Sequence, residues 1–206
     1  MNRSKVIVVD YGIGNIPSIL NMLRYIGVQA QSESDPTKII KADKLILPGV
    51  GSYDAAMNRI NDIKELKETL DYIAIQKKTP ILGICLGMQL MVTKSEEGNL
   101  PGFNWVEGDV KKFPNMNSIK VPHMGWNAAI ISNANELVDN LTSEIFFYFV
   151  HSYYLQLRNA SHSILRTHHG IDFDSAFASE NIYGVQFHPE KSRKFGMQLL
   201  RNFSEL

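Results

Sequence analysis

The stretch ILGICLGMQ, residues 81–89, joins two patterns of secondary structure at one cysteine. Residues 81–84 form a continuous apolar run, as in a strand that is covered on both faces, and a helical pattern follows Cys85. Gly83 and Gly87 flank a turn so tight that a Cβ at either position would collide with neighbouring backbone. These residues predict an α/β fold in which Cys85 projects at the edge of a sheet.

Two further strand-and-helix units precede this stretch. Val6–Val9 is a β-branched run, and apolar residues at helical spacing follow over 16–26 and stop at Gly27. Residues 45–47 make a second buried strand, and apolar residues over 60–73 then mark one helix that lasts until Thr79 and Pro80. Repeated units of this kind predict an open, mixed, mainly parallel sheet flanked by helices.

The second half of the chain has closely spaced strand patterns and few helical ones. Such spacing predicts antiparallel strands that continue or flank the parallel sheet, and a closing helix over 195–203. With no linker or repeat in the sequence, we expect a single domain over residues 1–206. The strands are predicted at 103–106, 110–113, 128–131, 145–150, 163–167, 173–178 and 182–187.

Composition and charge exclude several classes of protein. The 206 residues include 21 Lys and Arg against 21 Asp and Glu, so no basic excess is available to neutralise nucleic-acid phosphates. The longest apolar run, 145–150, is far shorter than the roughly 20 residues that span a bilayer. A single cysteine cannot form an internal disulfide, and the N-terminus lacks a signal-peptide pattern. We therefore expect a soluble, cytoplasmic protein.

The lone Cys85 has a structural and a catalytic interpretation. A buried structural cysteine is the commoner fate of such a residue. At the start of a helix, however, the positive end of the helix dipole favours the nucleophilic thiolate. The flanking glycines in a strand–turn–helix setting favour the catalytic interpretation.

A cysteine nucleophile needs a base, and His188 is the best placed of the six histidines. Because Pro189 biases the residue before it to extended backbone, we expect His188 and Glu190 on the same side of a rigid extended turn. A carboxylate in that position would hold the imidazole tautomer. The other histidines lack the spacing of a zinc site, so we predict no metal there. They are His123, His151, His162, His168 and His169.

Acyl chemistry also needs donors for an oxyanion, and the glycines of PGVGS, residues 48–52, can turn backbone N–H groups toward one point. The segment lacks the Gly-Lys-Ser/Thr ending of a phosphate-binding loop. The other glycine-rich turn, GIGN at 12–15, has Pro17 where a dinucleotide fingerprint needs its third glycine. Neither segment therefore predicts a nucleotide site.

Three motifs over both halves of the chain together resemble the class I (triad) glutamine amidotransferase family: PGVGSYD at 48–54, GICLGMQ at 83–89 and GVQFHPEKS at 184–192. The segments DYGIGN, VPHMGWN and FYFVHSYY are similar to those of the glutaminases that form a heterodimer with a (β/α)8-barrel cyclase. The resemblance implies hydrolysis of L-glutamine to L-glutamate and ammonia without a cofactor or metal. It further implies that the cyclase uses the ammonia to close an imidazole ring in histidine biosynthesis.

Carried over position by position, the resemblance implies Cys85 as nucleophile, His188 as general base and acid, and Glu190 as the group that orients His188. The resemblance further implies that backbone N–H groups stabilise the oxyanion. They come from the strand at Gly49 and Val50 and from Leu86. The positions that hold substrate glutamine match Gly51, Gln89, Glu97, Ser152 and Tyr153. The positions near the partner or the ammonia passage match Asn15, Trp126 and Lys191.

Three alternatives differ in the chemistry that they assign to the chain. A paralogous glutaminase would supply ammonia to a related barrel that makes an amidino sugar of surface polysaccharide. A regulatory binding subunit would keep the fold without activity, although Cys85, His188 and Glu190 are all intact. An α/β hydrolase with a cysteine nucleophile would normally place its acid well before the histidine, not two residues after it.

Overall fold

The computed structural model describes residues 5–115, 119–141 and 144–206. Its centre is a sheet of five parallel strands in the order β2, β1, β3, β4, β12. These strands are β1 Val6–Val9, β2 Ala30–Glu33, β3 Lys44–Gly49, β4 Ile81–Cys85 and β12 Ile182–Val185. The mainly parallel sheet predicted from the first half of the sequence is confirmed.

Helices cover both faces of this sheet, because successive strand residues point to opposite sides. Val6 and Val8 of β1 pack in one apolar cluster, whereas Ile7 and Val9 pack in another on the opposite face. The helices are α1 Ile16–Tyr25, α2 Pro36–Ile39, α3 Tyr53–Asp62, α4 Leu66–Asp71, α5 Leu86–Leu90 and α6 Arg193–Glu205. Residues of α1 and α6 join the first cluster, and residues of α3, α4 and α5 join the second.

Antiparallel strands extend the sheet beyond β12, as expected for the second half of the chain. The order continues through β11, β10, β7 and β8, while β9 pairs with both β11 and β6, and β5 pairs with β6 in parallel. Their bounds are β5 Val92–Ser95, β6 Val106–Lys112, β7 His123–Ile131, β8 Ile145–His151, β9 Tyr153–Leu157, β10 Ser163–His169 and β11 Ile171–Ser179.

The prediction of one continuous helix from Ile60 until Thr79 and Pro80 is wrong. The backbone leaves the helix at Ile63 and passes through Glu65 with φ of 64°, so that α3 and α4 are separate. Apolar residues spaced by three fall behind the 3.6-residue period, and the break returns Leu66 and Leu70 to the buried side.

The predicted strand at 103–106 is also wrong, because β6 begins only at Val106 and includes most of the strand predicted at 110–113. The N–H groups of Phe103 and Trp105 instead bond the carbonyls of Leu90 and Met91, at 2.8 and 2.9 Å. Strands β2, β5 and β9 were not predicted, since each is short and only partly buried.

The carboxyl ends of β3, β4 and β12 lie side by side at one edge of the sheet. Residues 48–51, Cys85 and His188 therefore come from the ends of neighbouring strands. Among the described residues, no helix has the length and apolar character needed to cross a bilayer.

Candidate active site

A cavity of about 380 Å³ opens at this edge of the sheet. Ligand sites in open α/β sheets lie outside the carboxyl ends of the strands, as this cavity does. Its lining includes nine of the residues singled out from the sequence, which come from five separate parts of the chain. They are Val50, Gly51, Cys85, Leu86, Gln89, Glu97, Ser152, Tyr153 and His188.

Cys85 ends β4 in a conformation that side chains rarely adopt, with φ of 55° and ψ of −112°. The turn is as tight as predicted. A Cβ at Gly83 would lie 2.7 Å from the Cα of Met88, and one at Gly87 would collide with the carbonyl oxygen of Leu47. The close packing of α5 on β3 and β4 thus holds Cys85 in its strained backbone, with its side chain largely buried at the cavity wall.

His188 and Glu190 are in direct contact, with 2.8 Å between Nδ1 and Oε1. Both side chains are almost fully buried. His188 itself has extended backbone, but Pro189–Lys191 forms a 3-10 turn rather than the extended turn expected from the sequence. The turn is tied down because Ser192 donates its hydroxyl proton to the carbonyl of His188 at 2.6 Å. The carboxylate therefore fixes the ring through Nδ1 and leaves Nε2 toward the cavity side.

The environment of His188 favours the charged ring. Burial lowers the pKa of His188, but the neighbouring Cys85 sulfur and the Glu190 carboxylate outweigh burial and raise it to about 10. Among the described residues, Nε2 of His188 has no hydrogen-bond partner. It is thus available to transfer a proton to or from a group bound beside Cys85.

Gln186 is a site residue that the sequence analysis missed. Its side chain is fully buried, and its Nε2 lies 3.8 Å from Sγ of Cys85. Its Oε1 accepts a hydrogen bond from Nε2 of Gln89 at 2.9 Å. The signal in the sequence is alternation, since Gln186 precedes His188 by two residues in an extended segment and shares its side.

The segment from Pro48 to Gly51 runs along the cavity from the end of β3. Gly49 pairs with Cys85, and a Cβ at Gly49 would lie 2.5 Å from the backbone nitrogen of Gly87. Tyr11, from the DYGIGN segment, donates its buried hydroxyl to the carbonyl of Pro48 at 2.6 Å. Beyond these anchors, Val50 is 39% exposed and Gly51 has φ of 88°. The segment is fixed at its start and open to solvent at Val50.

The lining of the cavity includes one acidic side chain. Glu97 is partly buried; burial and the charge of Asp54 raise its pKa, although the N–H of Tyr53 opposes them. Ser152 and Tyr153 also line the cavity, where β8 passes into β9. In the described ranges, no three His, Cys, Asp or Glu side chains converge as metal ligands would.

Two of the residues matched to a partner surface lie together. The indole of Trp126 is edge-on to the ring of Tyr148 at 6.1 Å, and Nζ of Lys191 lies 5.6 Å from the centre of the same ring. Trp126 and Lys191 are exposed. Asn15 is placed at the start of α1, which packs beside the Pro189–Lys191 turn.

Comparison with known proteins gives matches along the whole chain. The model of the class-I glutamine amidotransferase family matches residues 7–205. The chain is 48% identical to imidazole glycerol phosphate synthase subunit HisH 2 of Methanococcus maripaludis, with 96% of this chain and 98% of the relative covered. It is 42% identical to the subunit HisH 2 of Pseudomonas aeruginosa, covering 98% and 99%. Among solved structures, PurLQS of Thermotoga maritima superposes with a TM-score of 0.76 at 16% identity, over 98% of each chain.

Proposed function

The chain belongs to the class-I glutamine amidotransferase family, and from that premise we propose that it is the glutaminase subunit of an imidazole glycerol phosphate synthase. It hydrolyses L-glutamine and passes the ammonia to a (β/α)8-barrel cyclase of histidine biosynthesis, here called the barrel partner. We infer that residues 1–206 act as one amidotransferase domain. The observation that carries the proposal is Cys85 on its strained turn, in one cavity with a His188 held by Glu190.

In the first half of the reaction, the Cys85 thiolate attacks the side-chain carbonyl carbon of glutamine, and the carbonyl oxygen becomes an oxyanion. His188 then donates its proton to the amide nitrogen. The carbon–nitrogen bond breaks, and ammonia leaves a thioester on Cys85. The raised pKa of His188 suits this step, because the ring already carries the proton that ammonia needs.

In the second half, His188 removes a proton from water as the water oxygen attacks the thioester carbon. The carbon–sulfur bond breaks, which restores the thiolate and releases glutamate. Glu190 neither gives nor takes a proton in either half, but stabilises the charged ring and its orientation through Nδ1.

Backbone N–H groups stabilise the oxyanion in this scheme. Leu86 supplies one from the first residue of α5, and the segment at Gly49 and Val50 supplies another when its peptide faces the cavity. Glu97 is the acidic residue of the cavity lining and suits the α-ammonium of glutamine. Gln89, Ser152, Tyr153 and Gly51 bound the remaining space.

The experiment that tests the proposal compares two nitrogen sources in the assembled pair. Cys85→Ala should abolish product formation from glutamine but leave product formation from added ammonium salt at the wild-type rate, because free ammonia needs no thioester. Wild-type chain assembled with the barrel partner serves as the control. Glutamine hydrolysis by the Ala variant would contradict the assignment.

A second candidate acceptor, which the sequence motifs leave open, requires the same chemistry at Cys85. A related barrel would then use the ammonia to make an amidino sugar, while the chemistry at Cys85 stays the same. Growth of a histidine auxotroph that lacks its own glutaminase subunit distinguishes the acceptors. Complementation by this chain supports the histidine cyclase, and failure despite measured glutaminase activity supports the sugar-modifying barrel.

A further inference from the structure

The proposed mechanism leaves two buried histidines unused: His151, which is part of the cavity lining, and His123, which packs against it. His151, the last residue of β8, places Nδ1 2.7 Å from the carbonyl oxygen of Tyr153. Its Nε2 lies 2.8 Å from Nδ1 of His123, the first residue of β7. Nε2 of His123 in turn lies 3.0 Å from Nδ2 of Asn127. Both rings are buried, so each of these contacts replaces a hydrogen bond to water.

The partners decide which nitrogen of each ring carries its proton. A carbonyl oxygen only accepts, so Nδ1 of His151 is the donor to Tyr153 and its Nε2 is the acceptor. At the other end, Nδ2 of Asn127 also donates to the carbonyl of His168 at 2.9 Å, which fixes the orientation of the amide. Nε2 of His123 is therefore an acceptor and its Nδ1 a donor. Every hydrogen bond in the chain thus runs from Asn127 toward the Tyr153 carbonyl.

A second chain of hydrogen bonds meets the first at that carbonyl. Nε2 of Gln89 donates to the carbonyl of Tyr153 at 3.2 Å, which fixes the Gln89 amide and makes Oε1 of Gln186 its second acceptor. The amide nitrogen of Gln186 consequently faces Sγ of Cys85. One backbone oxygen therefore connects the buried histidines with the residues around the nucleophile.

We propose that Asn127, His123 and His151 form a neutral histidine relay that positions the Tyr153 carbonyl, and with it Gln89 and Gln186, for the attack by Cys85. The three residues are positioning residues, since in the described part of the chain none of them bonds Sγ of Cys85, and only His151 reaches the cavity lining. The inference rests on the proposed glutaminase reaction, and it adds the requirement that both histidine rings are uncharged.

Both rings must stay uncharged for the relay to exist. A second proton on His151 would place two N–H groups in its 2.8 Å gap to His123, and a second proton on His123 would place Nε2–H against the Asn127 amide nitrogen at 3.0 Å. Burial, His169 on β10 and His188 after β12 act with the paired ring to lower the pKa of His151 to about 3. Burial and His169 lower that of His123 to about 4. Rings of Phe113, Phe149 and Phe173 fill the remaining sides.

Paired substitutions at His151 test the relay in the complex with the barrel partner. His151→Leu removes the donor to Tyr153, whereas His151→Asn keeps an amide nitrogen one bond from Cγ, where Nδ1 stands. We expect His151→Leu to lower kcat/KM for glutamine about ten- to a hundred-fold, the effect of one buried unpaired group, and His151→Asn to recover most of it. His168→Leu, an exposed ring, serves as control with the wild-type rate.

Synthesis from ammonium salt shows that each variant has folded and assembled. Equal activity in wild type and His151→Leu would overturn the relay, as would equal losses in the Leu and Asn variants. If wild type itself hydrolyses no glutamine, the proposed function fails instead.

Nitrogen NMR of wild type tests the relay without any activity. Both rings should give the neutral Nδ1–H tautomer, unchanged between about pH 5 and pH 9. An Nε2–H tautomer, or titration of either ring near the ordinary histidine pKa, would overturn the proposal even if the Leu variant fails to fold.

Discussion

His188 and Glu190 contribute differently to catalysis, because His188 transfers protons whereas Glu190 only holds the His188 ring. Loss of the ring removes the acid and base of both half-reactions, which together contribute about a hundred- to ten-thousand-fold. We expect the activity of His188→Asn to fall by a factor in that range. The activity of Glu190→Gln should fall less, since the amide oxygen still accepts a hydrogen bond from Nδ1–H. Steady-state rates with glutamine measure both. A larger loss from Glu190→Gln, or a dispensable His188, would contradict the assigned roles.

His123 and His151 give the chain a characteristic acid sensitivity. Folding lowers their pKa values to about 4 and about 3. Below about pH 6.5 the two rings therefore bind protons in the unfolded chain but remain neutral in the folded chain. Their contribution to stability is present above that pH and is lost as the pH falls toward those values. Each histidine should add a slope of about 1.4 kcal/mol per pH unit in this window.

Urea denaturation between pH 6 and pH 4.5 measures this slope. His151→Leu should give a shallower dependence of the unfolding free energy on pH than wild type. Carboxylates titrate in both proteins and cancel in the difference. Parallel curves for wild type and His151→Leu would mean that the buried ring titrates normally.

The sequence predicts individual site residues when the signal is local, and misses them when it depends on the fold. The turn at Cys85 and the pair His188 and Glu190 are recognisable because spacing along the chain determines their geometry. Gln186 and Tyr11 acquire their roles from partners far away in sequence, Cys85 and Pro48. For His123 and His151, spacing along the chain predicts only that they form no zinc site, since their pairing depends on the register of β7 against β8.

At the scale of elements, the segment from Pro48 to Gly51 depends on a hydroxyl from a different loop. Tyr11→Phe removes the donor to the Pro48 carbonyl and leaves a buried acceptor unpaired. We expect a loss of unfolding free energy of about 1–3 kcal/mol and a lower kcat, because the start of the segment is no longer fixed. Denaturation and glutaminase rates check the two effects. Tyr25→Phe, on the exposed end of α1, should change neither, and a Tyr11→Phe protein with wild-type stability would show that the bond contributes nothing.

Elements with strong periodicity were predicted with the correct type, and those with weak patterns were not. β1, β3 and β4 are fully buried apolar runs, so their strand character shows directly. β2 and β5 expose polar residues, and their strand character comes from pairing with β1 and β6. The break between α3 and α4 was hidden because apolar spacing alone does not reveal a left-handed residue such as Glu65.

At the scale of the whole molecule, the surface around Trp126 and Lys191 lies on the opposite side of β7 from the buried His123. Along this strand His123 is buried, Met124 is 62% exposed and Trp126 is 45% exposed. Two exposed apolar residues beside a cation are suited to a protein partner, since anchors of this kind dominate interfaces. A barrel partner bound there would lie close to the cavity that supplies its ammonia.

This arrangement predicts that the isolated chain is a poor glutaminase and that the barrel partner with its acceptor substrate bound raises the rate. Pro48 and Gly49 are held by Tyr11 and by packing on Gly87, but the peptides on either side of exposed Val50 can face either way at small steric cost. An N–H that points away from the cavity does not stabilise the oxyanion. Its absence costs about a hundred- to a thousand-fold in kcat.

The barrel partner can favour the productive orientation only if it contacts the two states differently, and Asn15, Trp126 and Lys191 are the proposed contacts. Glutaminase rates should therefore be measured for the chain alone, with the barrel partner, and with the partner plus acceptor ligand. Because the oxyanion exists in the transition state and not in bound glutamine, the gain should lie in kcat rather than in KM. A full rate from the chain alone, or a gain confined to KM, would mean that the N–H groups already face the cavity and that the partner acts on substrate binding.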